Sequence, residues 1–141
     1  MWPVNDAPRG TVRTLTSPAW LVAAAFWTAA VLVLALTPTM KSNWLMKSLG
    51  DKIIHGAAFT LGGLVWVKAA RVARLRGVWA LIAGTLVALM VGAAIELLQR
   101  YIPGRKADIY DFVSDVIGVA AALLLLAVWS ALTSARRAAR A

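Results

Sequence analysis

Nine polar residues whose side chains can bind ions or move protons crowd the ends of apolar segments in this chain. They fall in three runs: Asp51, Lys52 and His55; then Glu96, Gln99 and Arg105; then Asp108, Asp111 and Asp115. Histidine and carboxylates are common general acids and bases, and arginine and lysine bind phosphate and carboxylate groups. Charged groups are costly beside hydrocarbon, so a cluster of them there indicates a functional site.

The overall composition places these residues in a membrane. The chain has 141 residues, of which 61% are hydrophobic and 15% charged, whereas about 25% charge is usual for a soluble domain. The net charge of +9 does not predict nucleic-acid binding, because the cations interrupt apolar segments instead of gathering on one soluble face. The chain contains no cysteine, which excludes disulfides and cysteine-based catalysis.

Four apolar runs, at residues 19–36, 53–67 (extending to 70), 78–98 and 112–132, are each near the ~20 residues that a helix needs to cross a bilayer. They are continuous rather than alternating, which favours helices over barrel strands. The prediction is an all-α polytopic membrane protein with four transmembrane helices in an antiparallel bundle over residues 18–132. Residues 1–17 then form an N-terminal tail and residues 133–141 a basic C-terminal tail. The first run is longer than the apolar core of a signal peptide, which favours a retained anchor.

The basic residues predict the orientation of the bundle. The short connector between the second and third runs carries Lys68, Arg71, Arg74 and Arg76 and no acid, and such connectors stay in the cytoplasm. Both termini are therefore predicted to be cytoplasmic, in an inner or plasma membrane. Every acid except Asp6 then lies on the outer side, which places the polar cluster in the outer leaflet.

The first two runs predict different helix ends. Asp51, at the start of the second span, is explained either as a helix cap or as part of the polar cluster, with His55 one turn further along on the same face. His55 is the only histidine, and inside an apolar run it is either a satisfied core residue or a ligand. Glu96 closes the third span, where a carboxylate opposes the helix dipole. A packed or functional role is therefore favoured for Glu96, with Arg100 or Arg105 as a neutralising partner.

The third run opens the fourth span. Asp108 is placed as the N-cap, and Asp111 three residues later falls in the first turn, so both are also explained as capping carboxylates. Asp115 lies a further turn inside the apolar run. It must point into the bundle rather than at lipid, with Arg105 or His55 as its expected partner.

Taken together, the three runs resemble the VanZ-like family of small bacterial membrane proteins. The resemblance covers roughly residues 20–130 and rests on D-K-x-x-H at 51–55, E-x-x-Q-x-x-x-P-G-R at 96–105 and D-x-x-x-[ND]-x-x-G at 111–118. The family is named after an accessory protein of glycopeptide resistance, associated with teicoplanin. The resemblance therefore implies a role in the cell envelope. One departure is Asp115, since that position is usually Asn in the family.

The favoured function is binding of a phosphate-bearing lipid or a lipid-linked cell-envelope precursor. Lys52, His55 and Arg105 would contact the anionic oxygens, while carboxylates orient these cations. The predicted ligand-binding set is Lys52, His55, Glu96, Gln99, Arg105, Asp111 and Asp115.

Two alternatives stay open. One is a membrane-embedded hydrolase or transferase, whose candidate catalytic residues are His55, Glu96, Asp111 and Asp115. No cofactor or metal site is predicted for the chain, but a variant of this enzyme hypothesis holds Mg²⁺ or Mn²⁺ on the same oxygen-rich set. The other alternative is a structural module in which the cluster is only a buried salt-bridge network.

The predicted partners are membrane lipids or a lipid-linked precursor, and no nucleic acid. The small residues Gly84, Ala88 and Gly92 have the four-residue spacing that lets transmembrane helices approach closely. This pattern leaves a homo-oligomer open.

Overall fold

The structure, a computed structural model, describes residues 17–37 and 44–140, and the side chains of all of these except 44–49. Four helices make up this part of the chain: α1 (Ala19–Leu36), α2 (Trp44–Val72), α3 (Gly77–Gln99) and α4 (Ile109–Ala138). No strand occurs among the described residues. The prediction of an all-α fold with four helices is confirmed.

All four helices are long and apolar enough to cross a membrane. The shortest, α1, has 18 residues, and at about 1.5 Å per residue it spans most of a hydrocarbon layer of about 30 Å. Large apolar side chains such as Phe26, Met90 and Leu124 are exposed on the outside of the bundle. These lengths and surfaces are those of a multi-pass membrane protein.

The second helix begins earlier than the apolar pattern indicates. It starts at Trp44, so Asp51 lies two turns inside α2, and the explanation of Asp51 as a helix cap is wrong. Apolar content marks where a helix enters hydrocarbon, not where it begins. The residues before Ile53 include lysines that the membrane excludes but that a helix accepts readily.

Other helix ends agree with the sequence more closely. Asp108 is the N-cap of α4, and its side chain accepts a hydrogen bond from the amide N–H of Tyr110 at 2.9 Å. The same helix continues to Ala138, well into the predicted C-terminal tail, because its alanines and arginines favour helix. Pro38, which follows the first apolar run, lies outside the described residues.

The helix α2 is the centre of the bundle, since it packs against each of the other three helices. It approaches α4 closely, since a methyl group on Gly118 would collide with the carbonyl oxygen of Gly56. Thr60 joins the same two backbones, because its hydroxyl donates to the carbonyls of Gly56 and Gly118 at 2.7 and 3.0 Å. This contact fixes the register of α2 against α4 next to the polar cluster.

The four-residue stripe of small residues on α3 is used inside the bundle. Gly84, Ala88 and Gly92 are all buried. Gly84 packs on the backbone of α2 at Val67, and a methyl group on Gly92 would lie 2.7 Å from Oδ2 of Asp115. The stripe therefore serves packing within one chain.

Candidate functional site

The three polar runs meet at one end of the bundle, where α1 and α3 end and α4 begins. The predicted convergence is visible in contacts between residues far apart in sequence. Lys52 of α2 pairs with two acids of the third run, and its Nζ lies 3.4 Å from Oδ2 of Asp108 and 3.1 Å from Oδ1 of Asp111. The ammonium group also lies 5.6 Å from the centre of the Tyr110 ring. Lys52 thus holds the start of α4 against α2.

His55 and Asp115 form the most buried polar pair of the site. Nδ1 of His55 lies 2.9 Å from Oδ1 of Asp115, whose side chain is fully buried. Asp115 was expected to reach either Arg105 or His55, and it reaches His55. The imidazole ring lies parallel to the ring of Phe59, with 6.5 Å between centroids. Phe59 in turn makes an edge contact with Trp27, so His55 rests on the aromatic core.

Glu96 has a backbone partner where a cation was expected. Its Oε2 accepts a hydrogen bond from the amide N–H of Asp108 at 2.8 Å. No ion pair joins Glu96 to an arginine within the described residues, so the expectation of neutralisation by Arg100 or Arg105 is wrong. The reason is geometric: the turn after α3 brings the backbone of Asp108, not an arginine head, over the end of that helix.

Two buried carboxylate oxygens of this cluster have no hydrogen-bond partner in the described part of the chain. They are Oε1 of Glu96 and Oδ2 of Asp115. Gly92, one of the small residues predicted to allow close helix packing, leaves the space that Oδ2 of Asp115 occupies. An unpaired buried carboxylate oxygen is costly, so neither arrangement is explained by packing alone.

Arg105 closes the site from the side of α1. Its Nη2 donates to the carbonyl oxygens of Leu34 and Thr37, both at 3.0 Å, and its Nε donates to Thr37 at 3.3 Å. These carbonyls belong to the last turn of α1, which lacks partners within its own helix. Gln99 ties down the same turn, since its Nε2 donates to the carbonyl of Ala35 at 3.2 Å.

A cavity of about 140 Å³ lies at this end of the bundle, between α1, α2, α3 and Arg105. Its polar wall is formed by Asp51, His55, Gln99 and Arg105, and its apolar wall by Val31, Leu34, Ala35, Ile54, Ala58, Phe59 and Ile95. Leu34 and Ile54 are also exposed on the outside of the bundle. The cavity therefore opens sideways, towards the apolar surface of α1 and α2.

The sequence missed part of this site. Asp51 was left out of the predicted ligand-binding set, yet it lines the cavity beside His55. The apolar wall contributed by α1 carries no signal, because Val31 and Leu34 look like any other membrane-facing residues. Of the predicted ligand-binding set, four residues do not line the cavity: Lys52, Glu96, Asp111 and Asp115. They surround it as the partners described above.

Metal ligation has no geometric support among the described residues, where no group of three or more His, Cys, Asp or Glu side chains is arranged to hold an ion. The divalent-cation variant of the enzyme hypothesis stays a prediction.

No family model, curated protein or solved structure matches this chain. The resemblance to the VanZ-like family rests on the three runs alone.

Proposed function

We propose that this chain is a VanZ-like protein of an inner or plasma membrane that binds a phosphate-bearing lipid, or a lipid-linked cell-envelope precursor, in the cavity beside His55. The observation that carries the proposal is the lateral opening. A cavity whose mouth lies between exposed apolar side chains admits a molecule from the bilayer, and its polar inner wall then receives the headgroup.

The proposed division of the ligand follows from the two walls. Acyl or prenyl chains lie along the exposed side chains of Leu34 and Ile54, where burial of apolar surface is favourable. The phosphate lies at Arg105, whose guanidinium has carbonyl partners but no acidic partner in the described part of the chain. Its positive charge is therefore still available to an anion, and Nη1 makes no hydrogen bond there.

The proposed orientation places this cavity in the outer leaflet. The cations of the Lys68 to Arg76 connector lie at the opposite end of the bundle from His55, and a short basic connector without acids remains in the cytoplasm. The bound lipid is then one of the outer leaflet, facing the cell envelope. A part in glycopeptide resistance of the teicoplanin type follows from the family resemblance.

The proposal is tested by narrowing the cavity. Ala58 lines the cavity, and the preceding residue, Ala57, is exposed. Ala58→Leu therefore adds three carbon atoms inside the cavity, and Ala57→Leu adds them outside. Native mass spectrometry of the detergent-purified chain, titrated with a phosphatidyl lipid, is expected to show at least about a tenfold loss of affinity for Ala58→Leu only. This loss corresponds to about 1.4 kcal/mol. Equal affinity in both variants would reject the proposal, and Val31→Phe repeats the test from the wall of α1.

A second candidate function, hydrolysis or group transfer on the bound lipid, is favoured by one observation. A carboxylate bound to Nδ1 of an imidazole leaves Nε2 as the basic nitrogen, and Nε2 of His55 has no partner among the described residues. Among the described residues no serine or cysteine lines the cavity, so His55 itself would be base or nucleophile. Release of the headgroup by the wild-type chain, abolished in His55→Gln, would establish this function. Lipid that is bound but returned unchanged would leave the chain a binding protein.

A further inference from the structure

The charged groups of the site are not all equivalent, because most of them are paired with one another. Lys52 is held between Asp108 and Asp111, and His55 is held by Asp115. None of these five side chains except His55 lines the cavity. They form an internal network with more carboxylates than cations, and most of it lies behind the cavity wall.

Two charged side chains of opposite sign line the cavity, and neither forms an ion pair within the described residues. The Asp51 side chain makes no hydrogen bond with any other described residue, and the three hydrogen bonds of Arg105 go to neutral carbonyl groups. The cavity wall therefore presents one carboxylate and one guanidinium. A ligand that carries only negative charge would satisfy Arg105 but would be repelled by Asp51.

The remaining polar groups of the wall include acceptors. One N–H of Gln99 Nε2 donates to the carbonyl of Ala35, which leaves the amide oxygen as an acceptor and the second N–H as a donor. When the ring of His55 is neutral and its Nδ1–H donates to Asp115, its Nε2 is an acceptor as well. Asp51, His55 and Gln99 together thus suit a group with several N–H donors, such as a primary ammonium.

The size of the cavity limits the headgroup. The cavity has a volume of about 140 Å³, which is small for a ligand pocket. A compact headgroup, such as a phosphate with a two-carbon amine, suits this space better than a bulky one.

We propose that the cavity selects a small zwitterionic headgroup, with its phosphate at Arg105 and its primary ammonium at Asp51. The ligand class is a phosphoethanolamine-type membrane lipid. This inference rests on the proposed function, which it narrows from any phosphate-bearing lipid to one that also carries an ammonium group.

The test compares lipids that share their acyl chains and differ in their headgroups. Native mass spectrometry of the full-length chain in detergent is carried out with phosphatidylethanolamine, phosphatidylglycerol and phosphatidylcholine. The wild-type chain is expected to prefer the ethanolamine lipid about tenfold over the glycerol lipid, which is the scale of one hydrogen bond to a charged group. The choline lipid, which is bulkier and has no N–H, is expected to bind more weakly than the ethanolamine lipid.

Three variants locate the preference. Asp51→Asn is expected to bring the ethanolamine and glycerol lipids to about equal affinity without lowering the melting temperature. Asp6→Asn removes the same charge elsewhere and is expected to keep the wild-type preference. Arg105→Gln is expected to weaken the binding of both lipids together.

Competition with soluble phosphoethanolamine distinguishes a lipid ligand from a free headgroup. If the acyl chains contribute to binding, even an excess of soluble phosphoethanolamine should displace the lipid poorly. Displacement of the lipid at equal concentration would overturn the assignment to a lipid.

The outcomes separate this inference from the proposed function. Lipid binding that depends on Ala58 but shows equal affinity for ethanolamine and glycerol headgroups would overturn the zwitterionic assignment and leave the lipid site standing. A preference that survives in Asp51→Asn would overturn it as well. Lipid affinity that is unchanged in Ala58→Leu would overturn both the zwitterionic assignment and the proposed lipid site.

Discussion

Oδ1 of Asp115 lies 2.9 Å from Nδ1 of His55, and the Asp115 side chain is completely buried between α2 and α4. This pair is the point at which the first and third polar runs, 60 residues apart, become one site. The same carboxylate has a second oxygen without a partner in the described part of the chain. Its removal therefore affects both the fold and the position of the imidazole.

Asp115→Ala is expected to lower the free energy of unfolding by about 3–5 kcal/mol, because it leaves the buried imidazole without its partner. Asp115→Asn retains an acceptor oxygen for Nδ1–H and is expected to cost less. Unfolding of the detergent-solubilised protein measures both. The control is Ser114→Ala, because Ser114 is a neighbour whose hydroxyl, within the described residues, bonds only to the carbonyl of Tyr110 in its own helix. If Asp115→Ala were no worse than this control, the pair would not contribute to stability.

Gly118→Ala is expected to destabilise the bundle by about 1–3 kcal/mol or more, since the added methyl meets the Gly56 carbonyl and α2 must separate from α4. Gly50→Ala is the matched change in α2, where nothing lies within 4 Å of the new methyl. That variant is expected to be neutral or slightly stabilising, because alanine favours helix more than glycine does. Similar thermal unfolding of the two variants would contradict the close packing of α2 on α4.

Arg105→Lys keeps the charge but loses the planar fork that holds Leu34 and Thr37. We expect lipid affinity to fall about tenfold, while stability falls by only about 1–2 kcal/mol, because the lost hydrogen bonds are exposed. Arg100→Lys, at an exposed position outside the cavity wall, is the control for affinity. A loss of binding that follows unfolding in parallel would favour the structural interpretation of the cluster.

The orientation is testable because the chain has no cysteine of its own. In whole cells, a single cysteine at position 107 is expected to react with an impermeant maleimide, and one at position 74 to react only after permeabilisation. The reason is that position 74 lies in the short connector rich in lysine and arginine, and such connectors remain in the cytoplasm. Reaction at position 74 from outside would reverse the orientation and place the cavity in the inner leaflet.

Much of the fold could be predicted from the sequence, because uninterrupted apolar runs indicate membrane helices and few other structures. The meeting of the three runs also followed from topology, since consecutive spans alternate in direction. Arg105 and His55 were the two expected partners of Asp115. The structure shows His55, which lies at the same depth on the adjacent helix α2.

Other features could not be predicted for equally physical reasons. The start of α2 is hidden because lysines end an apolar run without ending a helix. The partners of Arg105 are backbone carbonyls of Leu34 and Thr37, and a backbone group leaves no mark on residue type. The cavity itself depends on Val31 and Leu34, whose apolar character is the same whether they face lipid or a ligand.

The most direct test of a lipid headgroup in the cavity is to map where that headgroup lies. A phospholipid with a photoreactive diazirine beside its phosphate is bound to the full-length chain in detergent, irradiated, and located by peptide sequencing. If the headgroup binds in the cavity, we expect labelling of His55, Gln99 or Arg105 that disappears in Ala58→Leu and persists in Ala57→Leu. Labelling confined to exposed residues at that end, such as Tyr101 and Tyr110, and unchanged by Ala58→Leu, would contradict it.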